Sequence, residues 1–358
     1  MDHWPPNVTV MPDTRALTRP DPVTGELAHP DPVTGDLARP GPVPPRPAAS
    51  SPGRGIAAGA GGMVCVGGSV AVSSVLAGAP VFTAEALRYA VACLLLAGFA
   101  RAAGRRLAWP RGVEWLWLTG VTTTGLVLFN VGLVVGSRHA EPAVLGVAVA
   151  AVPPLLTVLG PLIDGSRPSR PVLVAAVTVT CGAALVQGLG RTDAAGVAWA
   201  VVVLGCETGF TLLAIPVLGR HGPWGVSVHT TWMAAVIFAG LGLVHEGPAA
   251  ITRLDRADWL AIGYLAVAVT AVAFVLWYSS VARLGAARAG LLTGIVPVAA
   301  AVTGVLLGGP APAPLVWAGI AVVAAGLAIG LPGGRPRRRR LVRRPVRPGR
   351  TAHREGTG

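Results

Sequence analysis

A chain of 358 residues that is 53% hydrophobic and only 13% charged lacks the polar surface of a soluble fold, in which about a quarter of residues are charged. Its net charge of +13 rests on arginine alone, since none of the 29 basic residues is lysine, and this excludes a lysine-bearing P-loop and transport driven by an ATPase of its own. The arginines crowd into the two ends and a few short loops, with no aromatic residue interleaved in the C-terminal run, so no nucleic-acid partner is expected.

Residues 1–55 come first and are Pro-rich. The decapeptide from Pro20 to His29 recurs from Pro30 to Arg39, and a third copy starts at Pro40. A tract with so few apolar residues is expected to be a disordered cytoplasmic tail. It leaves no cleavable signal in the usual position, so the first apolar segment is expected to act as an uncleaved anchor.

A bilayer-crossing helix takes about 20 predominantly apolar residues. On that measure the sequence predicts an all-α integral membrane protein with ten spans, near 59–79, 81–100, 114–136, 142–163, 171–189, 196–218, 225–244, 258–280, 289–308 and 314–331. Pro153-Pro154 and Pro297 interrupt the fourth and ninth, where neighbouring helices must satisfy the carbonyls they free. The four cysteines, Cys65, Cys93, Cys181 and Cys206, lie inside apolar stretches without paired metal spacing. They read as filler, and neither metal nor cofactor is expected.

Residues 332–358 form an Arg-rich tail. With both termini placed in the cytoplasm, inner loops and tail carry nineteen arginines against four outside (Arg138, Arg191, Arg253 and Arg256). That asymmetry predicts a multi-pass protein of the cytoplasmic membrane with both ends inside. The basic tail would lie against anionic lipid headgroups.

Shifted by 144 residues, the chain matches itself without gaps. Gly98 falls on Gly242, Trp115-Leu116 on Trp259-Leu260, Gly146 on Gly290, Pro153 on Pro297, Gly160 on Gly304 and Gly182 on Gly326. The offset carries five spans onto five, an odd number, so residues 56–190 and 196–331 are expected to be two inverted five-helix repeats. Inverted repeats with broken helices characterise secondary transporters, whose site lies between the halves.

Two segments carry a resemblance to a known family. The run from Ala79 to Tyr89 (Ala-Pro-Val-Phe-Thr-Ala-Glu-Ala-Leu-Arg-Tyr) resembles the start of helix 2 in the EamA family of the drug/metabolite transporter superfamily. The run from Thr270 to Tyr278, followed by a short arginine loop and Pro297, is similar to its helices 8 and 9. The resemblance spans about residues 56–331 and implies a ten-helix secondary transporter, commonly an exporter of amino acids or other small metabolites. The chain departs from the family in having Asp164-Gly165 and Gly308-Gly309-Pro310 where a Gly-Glu pair is common, and Ile295-Val296 where an acidic residue often precedes the helix 9 proline.

Charge well inside the spans is confined to Glu85, Arg88 and Glu207. Such charges are costly in a bilayer and face a cavity or a partner. Glu85 and Arg88, three residues apart, share a helix face; they read equally as a self-neutralised pair or as a grip on substrate. Glu207 has no basic residue within a turn, and desolvation at its depth favours the neutral acid, which suits proton coupling or contact with a cationic substrate group. Tyr89, Trp277 and Tyr278 either stack on a ligand or pack the bundle, Asn130 and His229 are polar within spans, and Pro153 and Pro297 shape the helices that would flank a site. The resulting expectation is an exporter working by alternating access, with proton coupling as an option and a homodimer open. A membrane-embedded enzyme or a non-transporting scaffold is the alternative; no enzyme signature is present in the sequence.

Overall fold

The computed structural model describes residues 52–69, 72, 75–163, 165–188, 190–308 and 311–331. The Pro-rich tract up to residue 51 and the Arg tail lie outside them, together with the expectations placed there. Helices α1 Pro52–Gly68, α2 Val81–Ala102, α3 Glu114–Gly136, α4 Pro142–Ile163, α5 Arg170–Gln187, α6 Ala194–Leu212, α7 Ile215–His245, α8 Arg256–Leu284, α9 Ala286–Leu306 and α10 Pro314–Gly330 follow in order. Among the described residues α2–α9, eight helices, are long and apolar enough to cross a membrane, while α1 and α10 have 17 residues each. Large apolar side chains such as Leu94, Val244 and Leu306 face outward, the last 79% exposed. Water would penalise that surface, whereas lipid does not. The chain is a multi-pass membrane protein.

Local chemistry sets most boundaries. Asp193 accepts a hydrogen bond from the Gly196 amide at 2.7 Å and starts α6. Asp255 and Asp258 form a reciprocal capping box at α8. Proline occupies the first turn of α4, α5 and α10, where its missing N–H has no intrahelical partner to lose. Boundaries depart most from the sequence expectation at the first helix and around the α6–α7 junction, where α6 stops at Leu212 and α7 starts at Ile215. The first helix takes in Pro52–Gly55 and stops at Gly68, because the Pro52 turn is itself compatible with a helix start and Gly55 seats against Leu284. In α7, Gly222 breaks the helix at φ 63°, ψ 177°, a conformation open to glycine, and Pro223 disfavours the helical alternative.

α4 is interrupted at Ala151 (φ −82°, ψ 0°) just before Pro153-Pro154, and α9 tightens into a 3₁₀ turn at Leu292–Gly294 just before Pro297. Pro154 has no N–H to give the Ala150 carbonyl, and the Thr180 hydroxyl of α5 donates to that oxygen instead, at 2.9 Å. α3 and α8 each contain a π-helical stretch, Thr122–Leu128 and Leu265–Val272, whose C-terminal ends lie 144 residues apart. Their extra backbone width is partly satisfied from side chains: Thr122 and Thr124 donate to carbonyls four residues back, and Thr270 to Leu265, five back.

α2 packs along α7 and α5 along α10, while α1 lies against α8 and α9 as α6 lies against α3 and α4. The α5–α10 crossing is close enough that a Cβ added to Gly182 would stand 2.8 Å from the Gly319 carbonyl oxygen, and one added to Gly319 2.7 Å from that of Gly182. The main core is aromatic at its centre, with Tyr89, Phe210, Phe238, Trp277 and Tyr278 buried together.

Candidate functional site

The charged turn of α2 is held between α3 and α8. Arg88 Nη1 donates to both carboxylate oxygens of Glu85, at 3.1 and 3.2 Å, and its Nε donates to Thr270 Oγ1 of α8 at 2.9 Å. The adjacent Tyr89 is fully buried, stacks on Phe238 of α7 at 5.7 Å, and accepts a hydrogen bond from Asn130 Nδ2 of α3 at 3.0 Å. Asn130 also donates to the Leu126 carbonyl at 2.6 Å, inside the π-helical stretch. Two adjacent residues of α2, Arg88 and Tyr89, thus reach the two π-bearing helices, α8 and α3. A wider π turn displaces side chains from the regular helical register, and such turns recur at functional sites.

Asn130 is also in the wall of a cavity of about 270 Å³, with Phe82, Val131, Val134, Arg138, Phe238 and Glu246 among the other lining residues. Its walls are mostly apolar, with one amide and two charged groups of opposite sign. The volume lies just below the usual range for small-molecule pockets. Arg138 is exposed and forms no ion pair among the described residues, while Glu246 turns toward α2.

Glu207 stands apart from this group. It is half-buried on α6 and makes no hydrogen bond or ion pair to another described residue. One turn on, Thr211 accepts from Trp277 Nε1 at 3.2 Å and the Phe210 carbonyl from the Tyr278 hydroxyl at 3.3 Å. Trp277 and Tyr278 therefore fasten α8 to α6 on the side of Glu207. Phe274 joins the two groups: it meets the Phe210 ring at 5.1 Å and lies four residues from both Thr270 and Tyr278, on one face of α8. Pro153 and Pro297 are both buried, each just after a helix interruption.

The opposite end of the α2–α7 pair carries a cluster that sequence reasoning did not assemble. Glu114 at the start of α3 pairs with Arg220 and lies 3.2 Å from His221 Nε2. His229 Nε2 is 2.9 Å from the Ala108 carbonyl, and Trp232 donates to its other nitrogen at 3.3 Å, so this polar residue ties a connecting loop to α7. At the Arg138 end, the Arg191 guanidinium beside Glu141 (2.8 Å) holds that carboxyl below its usual range, and the Gly196 amide does the same for Asp193, helped by His139 at 3.1 Å. Glu246 and Thr270 were likewise missed. A glutamate before Gly247 reads as a loop residue and a threonine in an apolar helix as filler, and no short-range signal marks their distant partners.

Residues 194–331, which comprise α6–α10, match the model of the EamA-like transporter family. The chain is 26% identical over 263 residues to a protein of Bacillus subtilis (strain 168) described as the uncharacterized transporter YetK, covering 70% of this chain and 79% of that protein. A solved crystal structure of a protein superposes with a TM-score of 0.66 at 18% identity, over 77% of this chain and 96% of the other, which establishes a shared fold.

Proposed function

We propose that the chain is a member of the EamA-like transporter family, whose model residues 194–331 match, and that this membrane transporter exports small metabolites or amino acids by alternating access of two inverted five-helix repeats. The observation that carries the proposal is the placement of the Glu85–Arg88–Tyr89 turn, bonded to Asn130 of α3 on one side and Thr270 of α8 on the other. α3 and α8 are the helices that the 144-residue register exchanges, and a site between exchanged elements is what alternating access requires.

Further features support the two-repeat reading. The π turns of α3 and α8, the interruptions before Pro153 and Pro297, and the Gly182 and Gly326 contacts recur in that register. Helix packing is consistent with a two-fold exchange, since α2–α7 and α5–α10 each pair register mates and α1 meets α8 as α6 meets α3. In this reading α1 and α10 are the first and last of ten spans. The Arg-poor end, with Arg138 and Glu246, faces outward, and both termini are cytoplasmic. The C-terminal arginines lie on anionic lipid.

Within this mechanism Arg88 grips an anionic group of the substrate, and Glu207, without a partner on α6, exchanges the coupling proton or meets a cationic group. The face Thr270–Phe274–Tyr278 connects the two. The test begins with an untargeted comparison of metabolites inside and outside cells with and without the gene. Arg88→Gln should abolish movement of the metabolite so found while the protein still inserts. Joint replacement of Glu85 and Arg88 by glutamine separates grip from neutralisation: retained transport in the single and double variants would remove the pair from the site. Absence of any metabolite difference would remove the transport reading.

A further inference from the structure

We propose that Glu246 is a positioning residue for the gate at the Arg138 end: it fastens the N-terminus of α2 to the C-terminus of α7 across the cavity mouth, and its release opens that mouth. The inference rests on the transporter reading and adds to it which contact must break. The first N–H groups of a helix have no intrahelical partners. α2 offers no cap of its own, since its N-cap position is Pro80 and makes no side-chain bond. Glu246 supplies the acceptors from the other half of the chain, taking the Phe82 and Thr83 amides at 2.8 Å each and the Thr83 hydroxyl at 2.6 Å. A carboxylate there also gains from the helix dipole, so the contact is strong. Water at the bundle end can replace it, so it is also reversible.

Beneath this fastening, the two helices meet through rings. Phe82 packs on Phe238 at 6.3 Å and on His245 at 5.6 Å, and Tyr89 stacks on Phe238. Such contacts separate or slide without orphaning a buried polar group. Glu246, Phe82 and Phe238 all line the cavity, so the fastening and the wall are the same residues. The close approach is built in: a Cβ on Gly242 would meet Thr83 Oγ1 at 3.0 Å.

Among the described residues, no carboxylate repeats this contact at the other end. The register mate of Glu246 is Ala102, and there the pair is held by His229 on the Ala108 carbonyl and by Arg105 over the Trp224 ring at 5.4 Å. One helix pair therefore carries different fastenings at its two ends, as independent opening of either end demands.

The test uses the full-length protein in lipid nanodiscs, with its four native cysteines replaced by alanine and one reporter cysteine placed at Val131, in the cavity wall, or at Ala287, at the start of α9. A water-soluble maleimide reads accessibility at each. Glu246→Ala should speed labelling at position 131 about tenfold, a shift of about 1.4 kcal/mol in the opening equilibrium, and slow it at position 287. Glu246→Gln, which keeps one carbonyl acceptor, should fall between. A structural role alone would raise labelling at both positions or neither, and either result would overturn the proposal. Should Glu246→Ala fail to fold, Thr83→Val removes only the hydroxyl contact: a smaller rise at 131 with a fall at 287 supports the gate, and no change overturns it. Labelling needs no substrate. A protein that labels as expected yet moves no metabolite keeps the gate and loses the transport reading.

Discussion

Replacing Gly182 by alanine tests the α5–α10 crossing with the smallest possible probe. The new Cβ would stand 2.6 Å from the Val323 amide nitrogen, 2.8 Å from the Gly319 carbonyl oxygen and 2.9 Å from Val323 Cγ2. Ordinary contact begins near 3.4 Å, so α5 and α10 must part by roughly 0.8 Å against backbone atoms that have no rotamer to yield. Overpacking of this kind costs about 1–3 kcal/mol, and the opposing gain from alanine's helix propensity is at most about 1 kcal/mol. Gly98, on α2, has nothing within 4 Å of the same added atom, and Gly98→Ala isolates the propensity gain. Gly326 is the register mate of Gly182 and faces Val179 N at 2.9 Å, so Gly326→Ala should behave like Gly182→Ala. Thermal unfolding of the detergent-purified variants, followed by loss of the monodisperse species, should place both below wild type by several degrees and Gly98→Ala at or above it. Equal stability of Gly182→Ala and Gly98→Ala would refute the crossing geometry and the reading of these glycines as contact points.

Three other predictions follow from other parts of the molecule. Glu207→Gln in proteoliposomes should lose uptake driven by an imposed pH gradient while retaining substrate exchange at equal pH; unchanged gradient-driven uptake would end the coupling role. Reporter fusions after Arg106, Arg170 and Arg340 should read cytoplasm and those after Arg191 and Asp255 the outside, and a consistent reversal would turn the proposed orientation over. Asp193 has its carboxyl held below the usual range by the Gly196 amide and His139, so its contribution is present above about pH 4 and is lost as pH falls through the lowered value. Asp193→Ala should therefore be less stable than wild type at neutral pH, with the two converging in acid; a constant gap down to pH 2 would contradict that origin.

Much of the helical layout is legible in the sequence because each helix must satisfy its own backbone in lipid, so long apolar runs and helices coincide. The expected spans 114–136 and 142–163 coincide with α3 and α4, and the starts of α2 and α10 are where proline and the apolar runs put them. The α6–α7 junction was less legible. Residues 213–218 are apolar and continue the pattern, yet α6 stops at Leu212, and a separate helical segment runs to the break at Gly222. Hydropathy measures burial from water and is blind to where the chain turns between two lipid-compatible helices.

The candidate site divides along the same line. Sequence alone singled out Glu85, Arg88, Glu207 and Asn130, because charge and amide groups are conspicuous where their desolvation is costly, and it shows the glycines and prolines that coincide at a 144-residue shift, because identities can be read directly. The partners were decided by tertiary structure. That Arg88 meets Thr270, that Tyr89 meets Asn130, that Thr180 answers the proline break in α4, and that Glu246 closes the end of α2 all depend on helices brought together from distant parts of the chain. A hydrogen bond is specific within a few tenths of an ångström, and periodicity along one helix carries no information about which residue of another helix will stand at that distance.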